Sequence, residues 1–448
     1  MKLKADKIKI LNMTRMRELK DDKLDFITDP RHTEGIYRLG ISDTRATGEV
    51  DGVHFLRSFQ YVQHCPNDSK YIVFYSTPWE FVEDISFIQS GKVNNLMKKV
   101  WEDFKNSKCI FIYYGFDLGD VKLNEIKNFL KGEGVPLSNF IYIQFGFLGT
   151  FHKSWLLDNE DFTLLEYNDM WWYGFFNDIE NIESLFKFMY KNQFNFKRPH
   201  KFITMNNAVK NPRKDLLLFL VKHNLLNEGI SSFFTIQSKD RNSPVDLQEE
   251  LSASEVILKF DEETINRAIE IVPYSYDISN KFILDEFRRD QATLLNFSGY
   301  NSAYFEIIAE TDTHSFSRAH GEDWTDKPVY DYFPYTEKTG RAFLMGLPFI
   351  LLTRPNSLEK LREIGFKTFE PFINESYDME TNNKKRLEMA FSEIKRIVKM
   401  DDDEIYKWFR DMRDITEHNL NYYFKFKKIS EINIKSTIIS KFEKNRWT

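Results

Sequence analysis

Two short segments of the 448-residue chain carry residue types that suit a phosphate-bearing ligand. The first is NNAVKNPRKD, residues 206–215, which directly follows the apolar run KFITM. Asn211 is placed to cap a helix and Pro212 to open it, with Arg213 and Lys214 in the first turn and Asn207 at the preceding strand end. Cations at a helix N-terminus oppose the macrodipole, so their placement is unfavourable until an anion binds there. A phosphate would resolve the conflict, because free backbone N–H groups and a guanidinium fork would converge on it. The alternative is a solvated basic turn. The second segment is DYFPYTEKTGRAFLMGLPFIL, residues 331–351. Thr336 is a candidate N-cap, with Glu337 suited to a ribose hydroxyl pair and Lys338 to a diphosphate in the first turn. An ordinary capped helix is the competing reading. The chain has no GxGxxG opening a helix after a strand, no GxxxxGK[ST] and no GxSxG elbow.

Other chemistries are narrowed by composition. The nine histidines are scattered, without HExxH or two-His-one-carboxylate spacing, and Cys65 and Cys109 are the only cysteines. A disulfide scaffold and a cysteine zinc site are excluded, and no tightly bound metal or cofactor is expected. Lys+Arg 62 against Asp+Glu 68 gives a net charge of -6, which is not the charge of a protein that coats nucleic acid along its whole surface. With 42 Phe, 21 Tyr and 8 Trp but only 18 Gly and 13 Pro, the chain is of the folded globular class. No stretch of about 18 apolar residues occurs, so no membrane span is expected and the expected location is cytoplasmic, the host cytoplasm for a viral chain.

The elements that must position these segments follow from periodicity. From residue 71, short apolar runs alternate with amphipathic stretches, the pattern of strand–helix–strand units around a mostly parallel sheet. Strands are predicted at 71–76, 109–116, 139–147 and 162–168, with helices at 93–106 and 122–130. A second series has strands at 201–205, 231–237, 303–311 and 347–353, and helices at 214–223, 283–291, 336–345 and 358–364. The polar, basic stretch 191–200 reads as a hinge. Two helices, 383–400 and 402–422, close the chain. The predicted architecture is α/β, with two Rossmann-like halves facing across a cleft, a first domain at 1–190 and a second at 191–380, and C-terminal helices at 381–448 packing back across them.

The order of an Asn-bearing strand end, Arg213 at a helix start, the strand AYFEIIAET, then YTEK and LPFIL resembles the donor half of the α-1,3-fucosyltransferase family and related GT-B glycosyltransferases. The match covers roughly residues 200–355; an insertion, 313–331, interrupts the run before TEK. Residues 358–378 also resemble a stretch of bacteriophage-encoded glycosyltransferases. The resemblance implies that Arg213, Glu337 and Lys338 bind the sugar nucleotide, a UDP- or GDP-linked co-substrate. It also implies inverting displacement at the anomeric carbon without an obligatory metal. The leaving diphosphate would be stabilised by cations and helix N-termini, and a carboxylate on the acceptor side would serve as base. Glu80, in STPWEF after the first strand, is the first choice, with Asp84 and Asp169 behind it; Trp79, Trp171 and Trp172 offer flat faces for a sugar or base.

The favoured acceptor is a hydroxymethylated pyrimidine in bacteriophage duplex DNA, which needs a narrow aromatic pocket for a flipped base. Lys191, Lys197, Arg198, Lys201 and Lys210, with Lys425, Lys427 and Lys428, are the candidate phosphate contacts. A glycan or polysaccharide acceptor is the alternative, and a catalytically silent nucleotide- or sugar-binding protein is the reading of another class. A monomer or weak oligomer is expected.

Overall fold

The computed structural model describes residues 9–12, 60–61, 70–77, 95–115, 121–145, 147–148, 157, 159, 161–167, 182–208, 212–235, 257–272, 274–275, 297–310, 332–333 and 335–445. The chain divides into two compact units, one of residues 1–175, 328–334 and 426–448, the other of 176–327 and 335–425. The boundary thus falls at 175/176 rather than 190/191, and the helices expected to form a separate C-terminal layer count largely with the second unit.

In the first unit, β1 (Lys9–Asn12), β2 (Gln60–Tyr61), β3 (Tyr71–Thr77), β4 (Cys109–Gly115), β5 (Phe140–Phe145) and β7 (Thr163–Tyr167) form one sheet in the order β2-β1-β3-β4-β5-β7. Every neighbouring pair is parallel. Helices α1 (Asn95–Lys105) and α2 (Val121–Gly132) provide crossovers between β3, β4 and β5. Runs such as YIVFYST and CIFIYYG lack alternation because central parallel strands are covered on both faces. Val100 and Phe104 of α1, and Ile126 and Leu130 of α2, are buried with Ile72, Ile112 and Ile141 of the sheet. Phe104, Phe111, Phe140 and Phe162 continue this core as a chain of ring contacts at 5.3, 6.4 and 5.6 Å. A two-residue β6 (Phe147–Leu148) pairs antiparallel with β12 (Tyr332–Phe333).

The second unit opens with α3 (Ile182–Asn192) and holds β8 (His200–Ala208), α4 (Arg213–Lys222), β9 (Gly229–Thr235), α5 (Glu262–Ile271), β10 (Tyr274–Ser275), α6 (Phe297–Asn301) and β11 (Ala303–Ala309). After β12 come α7 (Glu337–Met345), β13 (Phe349–Leu352), α8 (Ser357–Glu363), α9 (Asn383–Val398), α10 (Asp402–Asp411) and α11 (Arg413–Asn445). The sheet order is β10-β9-β8-β11-β13, parallel except for the short edge strand β10. Residues 213–221 of α4 are all buried, as expected of a helix whose LLLFLV run is apolar all round. Phe219 stacks on Phe391 of α9 at 4.4 Å, so helices cover α4 on the side away from the sheet.

Several expectations are corrected. β1, β2, α3 and α5 were not predicted. The helix expected at 283–291 lies outside the described residues. Within the stretch 191–200 read as a hinge, Gln193, Phe194 and Arg198 are buried, Phe194 stacks on Phe409 at 4.8 Å, and Gln193 Nε2 donates to the Gly346 carbonyl at 3.3 Å. The helix expected at 402–422 breaks at Met412, and α11 then continues to Asn445.

Gly346 closes α7 in the left-handed region at φ 60°, its N–H returning to the carbonyls of Ala342 and Phe343. A Cβ there would run into the Tyr190 ring and would lie 2.8 Å from Gln193 Nε2. Gly346→Ala should therefore cost about 1–3 kcal/mol of stability, combining left-handed strain with the clash, and lower the urea midpoint. An unchanged midpoint would remove this account of how α7 ends.

Candidate functional site

The second sheet contains one place where strand order reverses. β9 and β10 lie to one side of β8, while β11 and β13 lie to the other, the 3-2-1-4-5 doubly wound order. In such sheets the loops leaving the carboxyl ends of the two central strands diverge, and ligands enter the crevice between them. Here those strands are β8 and β11, and the chemistry-bearing segments of the sequence lie at their carboxyl ends.

From β8 the chain passes into α4, whose N-cap is Pro212; Leu216 N–H donates to the Pro212 carbonyl at 3.0 Å. Pro212 stands one position earlier than predicted, and Asn211 lies outside the described residues. Arg213, buried in the first turn, sends Nε to the carbonyl of Ala309, the last residue of β11, at 3.3 Å. This bond bridges the reversal point. Lys214 and Asp215 beside it are buried too. The Asp215 carboxylate accepts from the backbone N–H groups of Ile257 at 3.3 Å and Leu258 at 2.7 Å.

Immediately after β11 comes Glu310, fully buried. Its carboxylate accepts from Thr336 N at 2.9 Å, from the Thr336 hydroxyl and from the Thr339 hydroxyl at 2.6 Å. Lys338 Nζ lies 3.8 Å from the same carboxylate and donates to Thr336 Oγ1 at 3.1 Å. Thr336 caps α7 as its type and position predict, accepting from Lys338 N. The anion at the start of α7 is thus the protein's own Glu310. Lys338, the residue assigned to a diphosphate, lies beside it.

One helical turn further along α7, Arg341 meets Glu306 of β11: Nη2 and Nε reach Oε1 at 2.5 and 3.2 Å, and Tyr300 donates to the same oxygen at 3.1 Å. The guanidinium also lies 5.1 Å from the Tyr300 ring centre. Glu306 Oε2 has no hydrogen-bond partner among the described residues. Burial pushes the Glu306 carboxyl above its usual range, against the opposing pull of Arg341. Sequence reasoning missed both glutamates, although two acids four residues apart inside AYFEIIAET were a signal, since a carboxylate in a buried strand demands a partner.

Asn207 lies in β8 and Glu337 opens α7, with side chains outside what is described. Glu80, Asp84 and Asp169, with Trp79, Trp171 and Trp172, lie outside the described residues. The proposed basic cluster is corrected in part. The buried Arg198 guanidinium donates to the carbonyls of Tyr300 and Ala303 and sits 4.2 Å from the Phe409 ring centre. Lys197 pairs with Asp403 at 2.5 Å and Lys201 with Asp402 at 2.7 Å. Lys191, Lys425 and Lys428 are exposed; Lys210 and the Lys427 side chain fall outside what is described.

Among the described residues, no three His, Cys, Asp or Glu side chains gather as metal ligands, and no helix is long and apolar enough to cross a membrane. No protein-family model matches the chain, and comparison with curated proteins finds no match.

Burial raises the Asp215 carboxyl to about 7, despite the two backbone donors and Lys214. The folded chain therefore keeps this proton to higher pH than the unfolded chain, and the contribution of Asp215 to stability declines as pH rises from about 4 to about 7. Asp215→Asn should lack that decline, so its stability relative to the parent should rise with pH by up to about 1.4 kcal/mol per unit across this window. Denaturant titrations at pH 4, 5.5 and 7 check it; parallel pH profiles would show that Asp215 does not titrate there.

Proposed function

We propose that the chain is a glycosyltransferase of GT-B-like architecture that moves a sugar from a UDP- or GDP-linked donor to a hydroxyl acceptor. The observation that carries the reading is the Arg213–Ala309 bond across the reversal point of the second sheet, with Thr336 and Lys338 at the following residue, Glu310. A doubly wound sheet takes nucleotides at this point, and an arginine at the first helix start is suited to a diphosphate. In the reaction the acceptor oxygen attacks the anomeric carbon, the bond from that carbon to the diphosphate oxygen breaks with inversion, and the acceptor proton passes to a carboxylate. Glu80 is the first candidate for that base, ahead of Asp84 and Asp169. The nucleotide sugar is a co-substrate rather than a resident cofactor.

The favoured acceptor is a hydroxymethylated pyrimidine in duplex DNA, with a glycan hydroxyl as the alternative; a salt-dependent gel shift with duplex DNA separates them. A second reading is a protein that binds the nucleotide sugar without turnover. Slow release of nucleoside diphosphate without acceptor would decide for the enzyme.

Arg213→Ala should weaken the binding of the nucleotide sugar by about 1.5–3 kcal/mol, the scale of a charge-assisted hydrogen bond. Calorimetry on the folded variant reads this, and an unchanged Kd would dismiss the donor site. Glu80→Gln should keep donor affinity and lose turnover by about a hundredfold to ten-thousandfold, because the amide cannot take the acceptor proton. Full activity would move the base to Asp84, Asp169 or another carboxylate.

A further inference from the structure

A second concave site lies on the helical side of the second unit, bounded by α4, α9 and the segment 257–260. Its volume is about 340 Å³, within the range of small-molecule sites. The stacked rings of Phe219 and Phe391 form part of its lining, with the half-buried Phe260 beside them. Four lysines, Lys222, Lys259, Lys384 and Lys395, line it against a single acid, Glu388. Two of these lysines have their charge matched locally: Lys222 lies 3.3 Å from Asp261 and Lys384 lies 4.0 Å from Glu388. The other two have no carboxylate partner among the described residues. Lys395 Nζ meets Nδ1 of His223 at 3.2 Å, and burial together with Lys395, Lys222 and Lys399 holds the imidazole below its usual pKa. A neutral ring nitrogen leaves the lysine charge uncancelled. Lys222 Nζ lies 5.8 Å from the Phe260 ring centre, so charge and aromatic surface adjoin.

Uncancelled positive charge beside aromatic rings suits a ligand with an anionic end and a flat, π-bearing body. We propose that this pocket binds a nucleoside phosphate, its phosphate held by Lys259 and Lys395 and its base packed against Phe260. The source is either a free nucleotide or a nucleotide within a single strand. The site is separate from the crevice at the end of β11: ten residues of chain separate Arg213 from His223, about 15 Å along the axis of α4 at 1.5 Å per residue. It stands whether or not the donor reading holds.

Equilibrium dialysis of the full chain with radiolabelled ADP tests the proposal, with Lys259→Ala/Lys395→Ala as the main variant. The double variant should bind at least tenfold more weakly at this site. Because ADP also probes the crevice beside Arg213, the titration is repeated in Arg213→Ala, where the component sensitive to Lys259 and Lys395 must persist. Phe260→Ala should weaken ADP but not inorganic phosphate. An oligothymidylate that binds more tightly than ADP, with the same dependence on the two lysines, assigns the site to a nucleic-acid strand; tighter ADP assigns it to a free nucleotide. Lys259 is exposed and Lys395 half-exposed, and Lys395→Gln with an unchanged melting midpoint guards against a loss due to misfolding. Equal ADP binding by parent and double variant, indifference to Phe260→Ala, or no binding of any probe overturns the proposal.

Discussion

Two buried carboxylates, one in β11 and one in the residue that follows it, constrain the second unit more than any other feature. Glu306 and Glu310 are four residues apart, hence on the same face of the extended chain, and both are fully buried. An unpaired carboxylate in that setting would cost several kcal/mol, so the strand must meet a helix carrying matched donors at matched spacing. α7 supplies them. Arg341 answers Glu306, while Lys338, Thr336 and Thr339 answer Glu310 at the helix start, where the macrodipole also favours a negative charge. The pairing fixes the rotation of α7 about its axis and its register along β11. Sliding the helix by one residue would break both matches together. Breaking such a pair from one side is costly, whereas replacing both partners with apolar residues is often nearly neutral. The pairs are therefore better understood as setting the register of α7 than as a source of net stability.

Much of the sheet architecture was legible because fully buried parallel strands read as unbroken apolar runs. YIVFYST, CIFIYYG and FIYIQF could hardly be anything else, and the amphipathic stretches between them set the crossovers. Elements without that contrast were missed. β1 and β2 are four and two residues long, too short for any period to emerge, and they join the sheet through partners far along the chain. α5 carries a signal, Asp261 accepting from Thr264 N at the start of an amphipathic helix, that the sequence reading does not use. Within the polar stretch 191–200, the three buried residues Gln193, Phe194 and Arg198 carry no signal that sets them apart from their exposed neighbours. Its arginine serves as an internal bracket, donating to the carbonyls of Tyr300 and Ala303.

The same distinction separates what could and could not be read about function. A cation next to a helix start looks like a ligand contact in sequence, yet what holds it in place depends on what the next strand puts opposite it. For Arg213 that includes a backbone carbonyl, and for Lys338 a glutamate lying 28 positions earlier in the chain. Lys222, Lys259, Lys384 and Lys395 show the converse. Each looks unremarkable in sequence, and they span more than 170 positions. They share a pocket only because α4 runs back along the sheet after β8, Asp215 ties the 257–258 backbone to its first turn, and α9 packs Phe391 onto Phe219. Lysines are ordinarily solvated and far apart. Bringing four of them around one acid against aromatic walls concentrates positive charge on a chain that is acidic overall, and that charge exists only once α4 is buried between sheet and helices.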